Sequence, residues 1–140
     1  MFNRIQLVGN LADDAIIRVT QSGVRYATFR VITSDEVYSS ETGSWGAQTT
    51  AFDVVIWGHL AKYAEKAARK GNLFLVEGKM KEHRHEKDGQ TRYSWQVVVN
   101  DRLGAIRALS RPAEDARRDP YGSDRATDQT IDDELVEQFD

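Results

Sequence analysis

The sequence predicts an all-β domain: a small closed barrel of five strands in Greek-key order, with one helix between the third and fourth strands. Three observations carry this. Short runs alternate apolar and polar residues with a period of two, the mark of strands with one buried face. A single run, His59–Lys70, has helical spacing instead. And Lys87-Asp88-Gly89-Gln90 sits between two alternating runs. Asp-Gly there signals a tight hairpin, because a type I′ turn needs positive φ at both central residues.

The elements follow in order. Ile5 and Leu7 flank Gln6 before Gly9-Asn10, which reads as a strand and its exit. Ile16–Thr20 is a short second strand closed by Gln21-Ser22-Gly23, and Val24–Thr33 is a longer one. Ser39–Ser44 has loop chemistry. In the strand Ala51–Trp57, Phe52, Val54 and Ile56 share one face, which suits a barrel interior; Ala51, Asp53, Val55 and Trp57 share the other. Leu60, Tyr63, Ala64, Ala67 and Ala68 form the apolar stripe of the helix, with Gly71 placed to end it. Leu73–Glu77 and Arg92–Val99 are the last two strands. Five strands with a helix between the third and fourth is the layout of an OB-fold.

The chain has 140 residues and no cysteine, which excludes a disulfide framework, thiolate metal sites and a cysteine nucleophile. It carries no run of the ~18 apolar residues a spanning helix needs, and its start has no apolar leader, so no membrane association and a cytoplasmic, nucleoid-associated location are expected. Net charge is −3, but it is unevenly spread. Residues 1–110 hold 15 Lys and Arg against 12 Asp and Glu; residues 111–140 hold 4 against 10. The sequence therefore divides into a domain, 1–110, and an acidic tail, 111–140. Large apolar residues are almost absent from the tail up to Thr130, and it is expected to stay flexible. It ends in Ile131-Asp132-Asp133-Glu134-Leu135-Val136-Glu137-Gln138-Phe139-Asp140. That stretch is either a solubility tail, a peptide ligand for partners, or a decoy for the domain's own basic groove.

No phosphate loop, nucleophile elbow or paired-carboxylate pattern is present, so no enzyme and no cofactor are expected. His83 and His85 share a strand face, but no third ligand accompanies them, so no metal site is expected. Aromatic and basic residues are more informative. Trp57 faces away from the predicted interior and suits either stacking on an unpaired base or packing beneath a loop. Trp95 shares a face with Tyr93, Val97 and Val99, which places it in the core. Trp45 is read as a loop ring near Tyr38. Bases cluster in the last hairpin at Lys79, Lys81, Arg84, Lys87 and Arg92, interrupted by Glu82, Glu86 and Asp88. Rings for bases and cations for phosphates are the ingredients of sequence-tolerant single-strand binding.

Several segments resemble bacterial single-stranded DNA-binding proteins in register over about residues 1–109. They are Asn3-Arg4-Ile5-Gln6-Leu7-Val8-Gly9-Asn10-Leu11, Ser22-Gly23-Val24 with Ala27-Thr28-Phe29, Phe52-Asp53-Val54-Val55-Ile56-Trp57-Gly58, Arg69-Lys70-Gly71-Asn72, Val76-Glu77-Gly78-Lys79 and Gly89-Gln90-Thr91-Arg92-Tyr93. The resemblance implies an OB-fold, no catalysis, homo-oligomers (commonly tetramers), and wrapping of single-stranded DNA in replication, recombination and repair. It also implies an acidic tip that recruits replication and repair proteins, here Asp132, Asp133, Glu134 and Phe139. It assigns DNA contacts to Arg4, Arg18, Lys70 and Arg84, and stacking to Trp57. Lys81, Tyr38, Trp45 and His85 join them from the residue reading. The chain departs from the family where rings would be usual: Val37 and Ala51 lack them, and His85 replaces one. Asp53 stands where a base is usual, and Phe139 is followed by Asp140 with no preceding proline. Weaker or differently routed DNA is expected. The alternative is an OB module of a primosome- or conjugation-type assembly that binds protein and touches DNA incidentally. An RNA-binding OB domain is the third reading.

Overall fold

The structure, a computed structural model, describes residues 1–102 and 104–109. The acidic tail and its residues Asp132, Asp133, Glu134 and Phe139 lie outside the described residues.

Seven strands and one helix follow in the order β1 (Ile5–Leu11), β2 (Ile16–Val19), β3 (Arg25–Ser39), β4 (Ser44–Trp57), α1 (His59–Ala67), β5 (Leu73–Lys87), β6 (Gln90–Val99) and β7 (Ala105–Ala108). Five of them close a barrel in the order β1-β3-β4-β6-β5 and back to β1. Every contact in it is antiparallel except β4 with β6, which is parallel. β2 adds to the edge of β3, and β7 to β5. Among the barrel strands, α1 falls between the third and fourth, as the sequence predicts. The architecture is an OB-fold.

Alternation fixes which residues fill the barrel. Leu7 and Leu11, Ala27, Phe29 and Val31, Val54 and Ile56, Phe74 and Val76, and Val97 and Val99 are all buried. Phe74 anchors the centre, with its ring edge-on to Phe29 at 5.6 Å and tilted against Tyr63 at 6.3 Å. Gly78 lets β5 pass close to β6: a Cβ there would collide with the Val98 carbonyl oxygen.

The helix packs Leu60, Ala61, Tyr63 and Ala64 into the same core. It is shorter than its apolar stripe predicts. The Asn72 side-chain amide donates to the Ala67 carbonyl at 2.8 Å, and the Lys70 amide donates to Asp14 Oδ1 at 2.8 Å. One bond is local and the other comes from the segment between β1 and β2, and together they take the place of the next helical turn. The helix has no cap in its own first turn; Asp101 supplies one across the chain, accepting from the His59 and Leu60 amides at 3.2 and 3.3 Å.

The largest departure is in the two hairpins. β3 and β4 stay paired from Tyr26↔Trp57 out to Ser39↔Ser44, and β5 and β6 from Lys79↔Val98 to Lys87↔Gln90. Both arms run well beyond the barrel. Because β4 and β6 are parallel, the two arms leave from the same end. The Asp88-Gly89 turn has φ of 54° and 73°, as a type I′ turn requires. Tyr38 and Trp45 are therefore paired strand residues, not loop residues. Trp95 is not in the core: alternation does put it on the face of Val97 and Val99, but the strand has left the barrel there, and Trp95 is 60% exposed.

Candidate nucleic-acid interface

Barrel curvature gives each strand an inner and an outer face, and the register tells which residues share the outer one. Tyr26 and Trp57 are directly opposed across β3 and β4 and point outward. Their rings lie 4.7 Å apart at 31°, half-buried against each other. Arg18 on β2 is the next residue in that row, opposite Tyr26. Arg18 is exposed and has no carboxylate partner among the described residues. A guanidinium, a phenol and an indole thus form one ledge across three strands. Sequence reasoning found Arg18 and Trp57 but missed Tyr26. Alternation alone puts Tyr26 on the outer face; only the pairing register shows that it abuts Trp57.

The β5–β6 arm resolves the ambiguity of its interrupted charge cluster. Lys79, Lys81, His83, His85 and Lys87 alternate onto the outer face, and Arg92 joins them from opposite His85. Glu82, Arg84 and Glu86 point the other way. The outer face of this arm therefore carries four permanent cations and two histidines, with no carboxylate. His83 and His85 stack at 6.1 Å and 18°, and among the described residues no third metal-ligating side chain joins them.

Ledge and arm are continuous. Val55, Val98 and Lys79 lie in one row across β4, β6 and β5, two strand spacings or about 10 Å wide. Arg4 sits at the root of the arm, where the neighbouring Asn3 side chain donates to the Met80 carbonyl at 2.8 Å. Arg4 is not free: it is paired with Glu77, which also accepts from Gln6 Nε2 at 2.7 Å. Farther out on β3 and β4, Tyr38 and Trp45 pair at 5.5 Å on the same outer face. Between the two ring pairs, Arg30 Nε donates to Asp53 Oδ1 at 3.0 Å. Asp53 thus faces outward as predicted, with its charge taken by Arg30.

The proposed contacts do not all gather in one place. Trp57 and Arg18 form the ledge, and Arg4, Lys81 and His85 flank or line the basic arm. Tyr38 and Trp45 stand near the far tip of the other arm. Arg84 is on the reverse face of its arm, opposite Tyr93. Lys70 is exposed at the end of the barrel that α1 occupies, away from both arms.

Over residues 2–104 the chain matches the single-strand binding protein family. The chain belongs to that family. Its structure is also similar to that of a Plasmodium falciparum SSB in complex with single-stranded DNA. The TM-score is 0.72 at 20% identity, over 79% of this chain and 96% of that one. At that identity the likeness is one of fold.

Proposed function

We propose that this single-strand binding family member binds single-stranded DNA without sequence preference along its outer surface, from the Arg18–Tyr26–Trp57 ledge to the basic face of the β5–β6 arm. One observation carries the reading: period-two sorting puts every base of the arm except Arg84 on one face and both strand carboxylates on the other. Such a face neutralises a phosphate track, while the ledge offers rings to bases. The role follows as coating of exposed strands in replication, recombination or repair, without catalysis. Arg4 and Lys70 enter this scheme only as secondary contacts, Arg4 because Glu77 holds it and Lys70 because of its position.

An outward-facing Asp53, with Ala51 beside it in place of a ring, would favour the protein-binding alternative. Arg30 engages that carboxylate, which weakens the argument from repulsion. A homo-oligomer, a tetramer by family resemblance, is part of the proposal. β1 pairs with β5 from Ile5 to Asn10 but with β3 only at Asn10 and Leu11. Among the described residues nothing pairs with the other edge of β1 from Ile5 to Val8, which leaves it open to pairing with another chain. Recruitment of partner proteins through the acidic tail is a further part of it.

Titration with oligo-dT, followed by tryptophan quenching at several salt concentrations, tests the function. Binding that weakens steeply with salt is expected, because released counterions return to the strand. Silence at low salt rejects the reading. Equal or tighter binding of oligo-U moves the substrate to RNA.

A further inference from the structure

Of the three tryptophans, two pack against tyrosines of a neighbouring strand with tilted rings: Trp57 on Tyr26 and Trp45 on Tyr38. Trp95 has no ring partner among the described residues and is 60% exposed; Tyr93, two residues away on the same face, is 59% exposed. Exposing two large rings in water is costly, and neither contributes to the core. They lie on the reverse of the basic arm. From Gln90 to Gln96, β6 has β5 on one side and no strand on the other among the described residues. The edge between the two faces is open.

We propose that Trp95 and Tyr93 form a second base-stacking site on the reverse face of the β5–β6 arm, and that single-stranded nucleic acid reaches it by crossing the β6 edge from the basic face. The inference rests on the function proposed above and adds a route. Residues i and i+2 of a strand stand about 6.7 Å apart. That is close to twice the ~3.4 Å rise per nucleotide along a DNA strand, so a base fits between the two rings. Arg84, directly opposite Tyr93, offers the reverse face a cation. Arg92 and the lysines hold phosphates on the outer side of the same two-stranded ribbon. Glu86 shares this face beyond Arg84, and Glu82 directly opposes Trp95 as its nearest unfavourable neighbour. Its charge gives the proposal a signed test, because a carboxylate beside a DNA site weakens binding whereas one in a protein contact need not.

Three substitutions and one spectroscopic variant test the route by oligo-dT titration. Trp95→Ala is expected to weaken binding about tenfold, the ordinary loss for one stacked base. Trp95→Phe is expected to retain most of the affinity. Glu82→Gln is expected to tighten binding and steepen its salt dependence. In the Trp45→Phe/Trp57→Phe variant, Trp95 is the only tryptophan, and its emission is expected to be quenched on binding. The inference is overturned if Trp95→Ala binds like the unaltered protein and the single-tryptophan emission does not change, while Trp57→Ala weakens binding; the function then stands and the route falls. Unchanged DNA affinity with a changed sedimentation mass for Trp95→Ala also overturns it, and assigns the rings to contact with another copy of the chain. If the unaltered protein fails to bind oligo-dT, the function itself falls.

Discussion

Asp53→Asn gives the sharpest test of the outer path, because it is expected to improve binding rather than damage it. Arg30 and Asp53 are each about half exposed, with their side chains 56% and 53% accessible. They lie on the same outer face as Tyr26 and Trp57, four residues farther out, or about 13 Å along the strands. The pair is locally neutral, so a phosphate passing over it gains nothing. The amide keeps the shape of the carboxylate, deletes its charge and leaves Arg30 available. Repulsion between a carboxylate and a phosphate ~6 Å apart in water is worth about 0.7 kcal/mol, roughly threefold in affinity. One added phosphate contact steepens the salt dependence of log K by about 0.7 for single strands. Between 50 and 200 mM salt, that adds about a 2.6-fold fall in affinity.

The assay is oligo-dT titration at those two concentrations, with thermal melting as a control. An exposed pair of this kind contributes at most about 1 kcal/mol to folding, so the melting temperature should fall little. Tighter binding at 50 mM with a steeper slope supports the path. An unchanged slope, or weaker binding, refutes it: the first puts DNA elsewhere, and the second means that Asp53 holds Arg30 in a productive pose. Arg30→Gln should move both quantities the opposite way, since it leaves Asp53 unpaired.

Other outcomes follow from the same geometry. Trp57→Ala should weaken oligo-dT binding about tenfold, and Tyr26→Ala should weaken it too, since each ring supports the other; Lys62→Gln, on the exposed side of α1, should leave the salt slope unchanged. Asp101→Ala should cost about 0.5–2 kcal/mol in urea unfolding, because two helix amides lose their acceptor, without altering the salt slope. A chain ending at Ser110 should keep its melting temperature. It should bind oligo-dT more tightly at low salt if the acidic tail competes with phosphate, and unchanged affinity would reject that competition.

The barrel was legible in the sequence because its strands are half-buried. Phe52, Val54 and Ile56 announce their face, as do Leu7 and Val97, and the single helical run could only lie between β4 and β5. The lengths of the arms were not legible. Beyond Thr33 and before Ala51 both faces are solvated, so Asp35, Glu36, Thr49 and Gln48 show no apolar alternation, and nothing local separates a free ribbon from a loop. The same cause misplaced Trp95. Its spacing from Val97 and Val99 is that of a core residue, and only the point at which β5 and β6 leave the barrel turns the same face into a wet one.

The charges of the β5–β6 arm carry the more general argument. Along the chain, Lys79, Lys81, Glu82, Arg84, Glu86 and Lys87 read as a mixed, solvated segment, and averaging over any window returns a small net charge. A phosphate approaching the ribbon does not meet that average. It meets one face, and a two-residue period sorts Glu82 and Glu86 away from it while it gathers Lys79, Lys81, His83, His85, Lys87 and Arg92. The spacing along that face is about 6.7 Å, less than the ~8–10 Å screening length at ordinary ionic strength, so neighbouring cations act on a strand together. A one-residue slip in the β5–β6 register would not change this sorting within β5, but it would move Arg92 to the face of the glutamates. The Asp88-Gly89 turn fixes that register. Lengthening the turn by one residue should therefore lower the salt slope by about one phosphate contact even if every lysine remains, and an unchanged slope would mean that Arg92 plays no part in the grip.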